Sequence, residues 1–230
     1  MEHIQIAIDG PSGAGKSSVS KAAARELGII YVDTGALYRT IGYYAREQGI
    51  AVDNAIAVVP YLDRIHIEVR YENGVQCVYL NGENLGDRIR QNEISMYASA
   101  VSSIPEVRAF LLDTQKKIAA ENSVIMDGRD IGTVILPDAQ VKVFLTASNE
   151  ARARRRYIEL QEKGMPLPYE EILADMNRRD EADRTRAIAP AIPAPDAVIL
   201  DNSDLNFEET VAALLSIVRR IAAEKGISLS

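Results

Sequence analysis

The chain has 230 residues, 47% apolar and 26% charged, with a formal net charge of −7 at pH 7. That composition suits one globular domain with a sizeable core and room for an insertion. It argues against a dedicated nucleic-acid binder, and no apolar run approaches the roughly 20 residues of a membrane span.

Strand-like sequence begins at Ile4, so no leader pattern is expected ahead of it. Ile4–Asp9 reads as an apolar strand. It runs into Gly10-Pro11-Ser12-Gly13-Ala14-Gly15-Lys16-Ser17, and Lys16–Leu27 reads as the helix that follows. A second strand at Ile29–Val32 leads to a helix at Ala36–Gln48, with Thr34 as its expected N-cap. Ile65–Leu85 breaks the alternation of strand and helix. Ile65, Ile67 and Val69 alternate with His66, Glu68 and Arg70, and Asn73-Gly74 and Asn81-Gly82 read as hairpin turns. This small antiparallel sheet reads as an insertion that continues through a helix near Gln91–Ser102. Cys77, the only cysteine, sits in its strand Val75–Leu80 and reads as a small packed side chain. With no second cysteine there is no intrachain disulfide, and a reducing cytoplasm is the expected setting. His66 and His3 have no neighbouring ligands at metal spacing, so neither a zinc site nor a histidine base is expected.

Downstream, Pro105–Glu121, Asn149–Lys163, Tyr169–Arg186 and Asn206–Lys225 read as helices, and Ser123–Met126, Val141–Leu145 and Ala197–Leu200 as strands. Pro190, Pro193 and Pro195 mark an extended connection into the last strand. The final helix carries Glu208 and Glu209 in its first turn, Arg219 and Arg220 near its end, and Gly226 as its stop, in agreement with its dipole. Alternating strands and helices predict an α/β fold, a parallel sheet flanked by helices.

The glycine-rich stretch has the pattern of a phosphate-binding loop. Its glycines let backbone N–H groups wrap an anion at a helix N-terminus, Lys16 can reach the outer phosphates, and the Ser17 hydroxyl can ligate Mg²⁺. A bound nucleoside triphosphate is therefore expected. Neither the Asn-Lys-x-Asp guanine reader of a GTPase nor the Ser-Gly-Gly signature of a transporter ATPase is present. What the chain offers is arginine near strand ends and on helix faces, suited to holding several phosphates at once. Arg39 follows Thr34 by about one turn and can reach an anion there. Asp127 ends an apolar strand, where a carboxylate acts on Mg²⁺ through bound water, and Arg129 and Asp130 follow it. At 3.6 residues per turn, Arg179, Asp183 and Arg186 are expected on one helix face.

Taken together, Ile8–Lys16, Asp33–Arg39, Asp127–Thr133, the segment through Arg179, Asp183 and Arg186, and Leu160–Gly164 resemble the bacterial cytidylate kinases, nucleoside monophosphate kinases of the P-loop class. The resemblance covers nearly the whole chain. It implies a three-layer fold with a five-stranded parallel sheet and a small antiparallel β insertion. The core would span about 1–62, 103–150 and 187–230, the monophosphate-binding insertion about 63–102, and the lid with its substrate helix about 151–186.

The resemblance also implies roles. Residues Gly10, Pro11, Ser12, Gly13, Ala14, Gly15, Lys16 and Ser17 would hold ATP, and Arg155, one of the lid arginines from Arg152 to Arg156, would close on it. Ser17 and, through water, Asp127 would hold Mg²⁺. Thr34, Tyr38, Arg39, Ser99, Arg108, Arg129, Asp130, Arg179, Asp183 and Arg186 would bind the acceptor. Within that set Ser99, Arg108 and Asp130 would read cytosine, and Arg39, Arg129 and Arg186 would hold its phosphate. Lys16, Arg129 and Arg186 would stabilise the transferred group. The implied reaction is phosphoryl transfer from ATP to CMP or dCMP by a cytoplasmic monomer that binds neither nucleic acid nor membrane. A kinase for UMP or another small acceptor, and a nucleotide-dependent RNA-binding switch, stand as alternatives.

Overall fold

The computed structural model describes residues 3–72 and 74–229. A five-stranded sheet has the order β2-β6-β1-β7-β8, formed by β2 (Ile30–Asp33), β6 (Val124–Asp127), β1 (Gln5–Asp9), β7 (Val141–Thr146) and β8 (Val198–Asp201). β1 lies at its centre, parallel to β6 with Ile6 opposite Ile125, and parallel to β7 with Ile8 opposite Val143. β7 pairs in turn with β8, Leu145 opposite Leu200. The central strands are buried on both sides, which explains why they read as continuous apolar runs. The helices α1 (Lys16–Leu27) and α7 (Phe207–Glu224) pack against one another and against this sheet. Asn206 caps α7 in a reciprocal capping box with Glu209.

The chain divides into two compact units, one comprising the chain up to Ile30 and from Asn122 onward, the other Tyr31–Glu121. The first holds β6, β1, β7 and β8, together with α5 (Asn149–Glu162) and α6 (Tyr169–Thr185), whereas all of β2 beyond Ile30 falls in the second. These two helices share their own apolar cluster of Ala153, Leu160 and Ile172, rimmed by Tyr157 and Tyr169.

The second unit has a separate core built from α2 (Thr34–Glu47), α3 (Asn92–Val101), α4 (Pro105–Glu121) and the antiparallel sheet β3-β4-β5 (Ile67–Glu72, Val75–Leu80, Glu83–Asn84). The predicted turn at Asn81-Gly82 is present, both residues having positive φ (51° and 86°), as a two-residue hairpin loop requires. Of the other predicted turn, Asn73 lies outside the described residues and Gly74 has φ 76°. Residues Val52–Arg64, for which the sequence predicted no element, form a 3-10 stretch containing Pro60 and interrupted at Asn54. Its tighter period, its proline and its short buried set (Ala55, Val58, Leu62) conceal it from a search at α-helical spacing.

α2 begins at Thr34, two residues before the expected start at Ala36, and its N-cap is Asp33 rather than Thr34. Asp33 has extended dihedrals and its carboxylate accepts the Ala36 N–H at 2.9 Å, which fills the capping role and leaves Thr34 buried inside the first turn. α2 and α3 pack closely because position 42 is glycine: a Cβ there would lie 2.9 Å from the Ala98 nitrogen and 2.9 Å from the Tyr97 Cβ. Gly42→Ala should therefore destabilise the protein by about 1–3 kcal/mol through overpacking, against the roughly 1 kcal/mol that helix propensity alone would return. Urea unfolding checks this, and a stabilised variant would contradict the close packing.

Candidate active site

The phosphate loop leaves the carboxyl end of the central strand, the point at which open α/β sheets bind ligands. Gly10 has φ 146°, and a Cβ there would fall 1.9 Å from the carbonyl oxygen of Leu145 on β7, so only glycine lets the chain turn this close to the sheet. Gly15 takes a left-handed conformation (φ 85°) at the N-cap of α1 and supplies no side-chain cap, which keeps the helix N-terminus open to an anion. The buried Lys16 donates from Nζ to the Pro11 carbonyl at 2.7 Å, across the loop. Burial first, then the charge of Arg129, pushes its amine well below the usual lysine range, while Asp127 and Asp9 act in the opposite sense. Ser17 donates from Oγ to Asp127 Oδ2 at 2.7 Å, bringing together the two residues expected at the metal. Hydroxyl and carboxylate oxygens at a phosphate loop fit a hard divalent cation such as Mg²⁺.

Asp9, at the end of β1, is equally buried. Its carboxylate accepts the N–H groups of Ile131 and Gly132, each at 2.8 Å, and so pins the turn that carries Arg129 and Asp130 to the strand that carries the phosphate loop. Burial raises its pKa to about 6, although the two backbone N–H groups work against the rise.

On the same unit, Arg129, Asp130, Asp183 and Arg186 come together. Arg129 Nε donates to Asp183 Oδ2 at 3.1 Å, and Arg186 lies 3.6 Å from Asp130 Oδ1 and 4.0 Å from Asp183 Oδ1. The predicted common helix face of Arg179, Asp183 and Arg186 is corrected in one respect. α6 ends at Thr185, and Arg186 is extended (φ −60°, ψ 141°) with its Nε donating to the Ala189 carbonyl at 2.5 Å, so ion pairs and not helical spacing bring it to Asp183.

Two of the lid arginines touch the loop's surroundings in different ways. Arg152 is almost wholly buried. It donates to the carbonyls of Ser12 (2.7 Å) and Ala147 (3.0 Å), hydrogen-bonds Asn149, and pairs with Asp180 on α6 at 2.6 Å. Arg155 donates to Asn202, whose side-chain amide in turn donates to the Ala14 carbonyl of the loop at 3.1 Å. Beside Arg155 opens a cleft of about 830 Å³, lined by Glu150, Arg154, Arg155, Tyr157, Tyr169 and the segment Ser203–Asn206.

In the second unit, Arg39 pairs through one nitrogen with Asp33 Oδ2 at 2.7 Å, and its buried Nε–H makes no hydrogen bond among the described residues. Gly35 makes room for it: a Cβ at that position would meet the Arg39 guanidinium at 2.9 Å. Thr34 and Tyr38 are buried beside it in α2. Arg108 stacks over the Tyr38 ring at 5.7 Å and donates to the Ser102 carbonyl at 3.1 Å. The Ser99 carbonyl accepts from the Ser102 hydroxyl at 2.8 Å, which ties Ser99 and Arg108 to the same helix end.

The family model described as cytidylate kinase matches residues 6–220. This chain belongs to the cytidylate kinase family. It is 44% identical over 221 residues to the cytidylate kinase of Caldicellulosiruptor bescii, covering 96% of this chain and 98% of that one. It is 46% identical over 217 residues to that of Fervidobacterium nodosum, covering 94% and 97%. Among solved structures, a gluconokinase from Sinorhizobium meliloti overlays at a TM-score of 0.49 with 17% identity, covering 96% of this chain and 95% of that one.

For a member of the cytidylate kinase family, the groups that the sequence left unnamed are Asp9, Asp180 and Asn202. Asp9 carried the same signal as Asp127, a carboxylate closing an apolar strand, and could have been read the same way. Asp180 lay hidden in a run of alternating charges, and Asn202 has no local motif. Asp9 also gives a pH dependence. Its carboxyl titrates at about 6 against an ordinary value of 3.8, so the folded state binds that proton more tightly than the unfolded chain. The contribution to stability is complete below about pH 4 and is lost as pH rises through about 6. Asp9→Asn lacks this titration, so the stability difference between the two proteins should move in the variant's favour from about pH 4 to about pH 7, by roughly 3 kcal/mol at most. Urea unfolding at both pH values measures it. A difference independent of pH would contradict the buried charge.

Proposed function

We propose that this chain transfers the γ-phosphoryl group of ATP to CMP or dCMP, giving ADP and CDP or dCDP. The observation that carries the proposal is the 2.7 Å contact of Ser17 with Asp127 beside the buried Lys16, in a chain of the cytidylate kinase family. The family match does not favour a UMP kinase or an RNA-binding switch.

In the proposed reaction an oxygen of the acceptor phosphate bonds to the γ-phosphorus, and the bond from that phosphorus to the β–γ bridging oxygen breaks, leaving ADP. The acceptor phosphate is ionised at neutral pH, so the protein needs no strong base and works by positioning and charge stabilisation. Lys16 and the N-terminus of α1 face the triphosphate. Ser17 and Asp127 are the residues that would hold Mg²⁺, which when bound offsets phosphate charge. Arg155 and the cleft beside it suit a flat base, because a guanidinium plane stacks on an aromatic ring. Arg129 and Arg186, held by Asp183 and Asp130, are assigned to the acceptor phosphate with Arg39, and Arg179 to the acceptor's sugar and phosphate. Thr34, Tyr38, Ser99, Arg108 and Asp130 are assigned to the nucleoside. We read the protein as a cytoplasmic monomer; its single cysteine accords with that compartment.

Coupled assay of ADP formation from ATP with CMP, dCMP, UMP, AMP or no acceptor tests the proposal. Strong stimulation by CMP and dCMP is expected, and equal rates with and without CMP would refute it. Lys16→Ala should lower kcat by about 10²–10³, the scale of losing one preorganised charge contact to the transferred group. Asp130→Ala should narrow the CMP/UMP ratio of kcat/KM by roughly tenfold or more, the worth of one charge-assisted hydrogen bond. An unchanged ratio removes Asp130 from base recognition.

A further inference from the structure

The antiparallel sheet of the second unit does more than close a core. Its inner face is read from the register: Ile67 faces Leu80, Val69 faces Val78 and Tyr71 faces Gln76, and directly opposed residues project to the same side. Leu80 and Val78 belong to the core of this unit, with Ile67 and Val69 packed against it. Gln76 is the polar member of the same row. Its side chain meets the backbone of Asp33 twice: Oε1 accepts the Asp33 N–H at 2.7 Å, and Nε2 donates to the Asp33 carbonyl at 3.2 Å. Asp33 then makes two further bonds. One carboxylate oxygen caps α2 through the Ala36 N–H, and the other pairs with Arg39 at 2.7 Å.

We propose that Gln76 is a positioning residue for the acceptor site: the β insertion uses it to fix Asp33, and through Asp33 the guanidinium of Arg39. A glutamine suits this task because its amide donates and accepts at once and so matches the N–H and the C=O of one residue together. Neither an apolar residue nor a carboxylate does so. The effect runs through the second unit alone and leaves the phosphate loop, Lys16 and Ser17 untouched. Gln76 therefore acts on the acceptor's affinity and not on that of ATP. The inference rests on the proposed role of Arg39 in holding the acceptor phosphate.

Four variants of the full chain test it by steady-state kinetics, with CMP and ATP varied separately. Gln76→Met keeps the shape and removes both bonds. It should raise the KM for CMP about tenfold, the scale of one to two lost hydrogen bonds, with the KM for ATP unchanged. Gln76→Glu keeps one acceptor but sets a carboxylate against the Asp33 carbonyl and beside the Asp33 side chain, and it should be worse than Gln76→Met for CMP. Arg39→Ala combined with Gln76→Met should bind CMP no more weakly than Arg39→Ala alone, because Gln76 acts through Arg39. A Gln76→Met protein with wild-type KM for CMP, one in which both KM values rise together, or effects that add to those of Arg39→Ala would each overturn the inference. A wild-type protein without CMP-dependent ADP formation would instead refute the proposed function, an outcome distinct from these.

Discussion

The structure depends on charge held out of water at the carboxyl end of its central strands. Lys16, Asp9, Asp127, Asp130 and Arg152 are all buried there, within one unit of the chain. Unpaired burial of even one such group costs several kcal/mol, and a pair recovers that cost only with good geometry and further hydrogen bonds. Each of these groups is accordingly tied to backbone, to a hydroxyl or to an opposite charge. Asp9 takes two N–H groups, Asp127 takes the Ser17 hydroxyl, Lys16 reaches a loop carbonyl, and Arg152 reaches two carbonyls and a carboxylate. The glycines serve the same end. At Gly10 the backbone comes so near Leu145 that no side chain fits. A site whose charged groups are buried and held by hydrogen bonds suits phosphoryl transfer, whose demands are positioning and electrostatics.

Much of this was legible in the sequence, for a definite physical reason. Buried parallel strands read as apolar runs, and the loop, the strand-ending Asp127 and the hairpin turn at Asn81-Gly82 each require particular residue types at particular spacing. These are short-range constraints. β1, α1, β6, β7, α5 and α7 accordingly lie within a residue or two of their expected limits. What the sequence concealed is long-range or of mixed period. The 3-10 stretch Val52–Arg64 has no α-helical repeat. The partners of Asp9 lie 122 and 123 residues away, and Gln76 meets Asp33 across 43 residues. Arg186 reaches Asp130 and Asp183 from an extended backbone that helical spacing could not foresee. The cap of α2 is ambiguous in sequence for a subtler reason: Asp33 and Thr34 both have capping side chains, and only the end of β2 decides between them.

The arginines divide by how much of their hydrogen-bonding capacity the protein consumes. A guanidinium has five N–H donors in a fixed fork. At Arg152 all three nitrogens are engaged by protein oxygens, from Ser12, Ala147, Asn149 and Asp180. Such a side chain braces the phosphate loop against α6 and has little left for a ligand. Sequence position alone does not separate it from Arg155 among the lid arginines. Arg39 is the opposite case. One nitrogen is held by Asp33, which sets its direction, while its buried Nε–H makes no hydrogen bond among the described residues. Orientation by a carboxylate and retained donor capacity together mark an arginine prepared for an oxyanion, since a bidentate fork must be aimed before it can discriminate. The acceptor half of the proposed site then depends less on the number of arginines than on the carboxylates that aim them. Asp33 serves Arg39, and Asp183 serves both Arg129 and Arg186. An alanine at Asp33 or Asp183 would remove negative charge from the neighbourhood of a phosphate and yet weaken its binding, because the arginine left behind is charged but no longer directed.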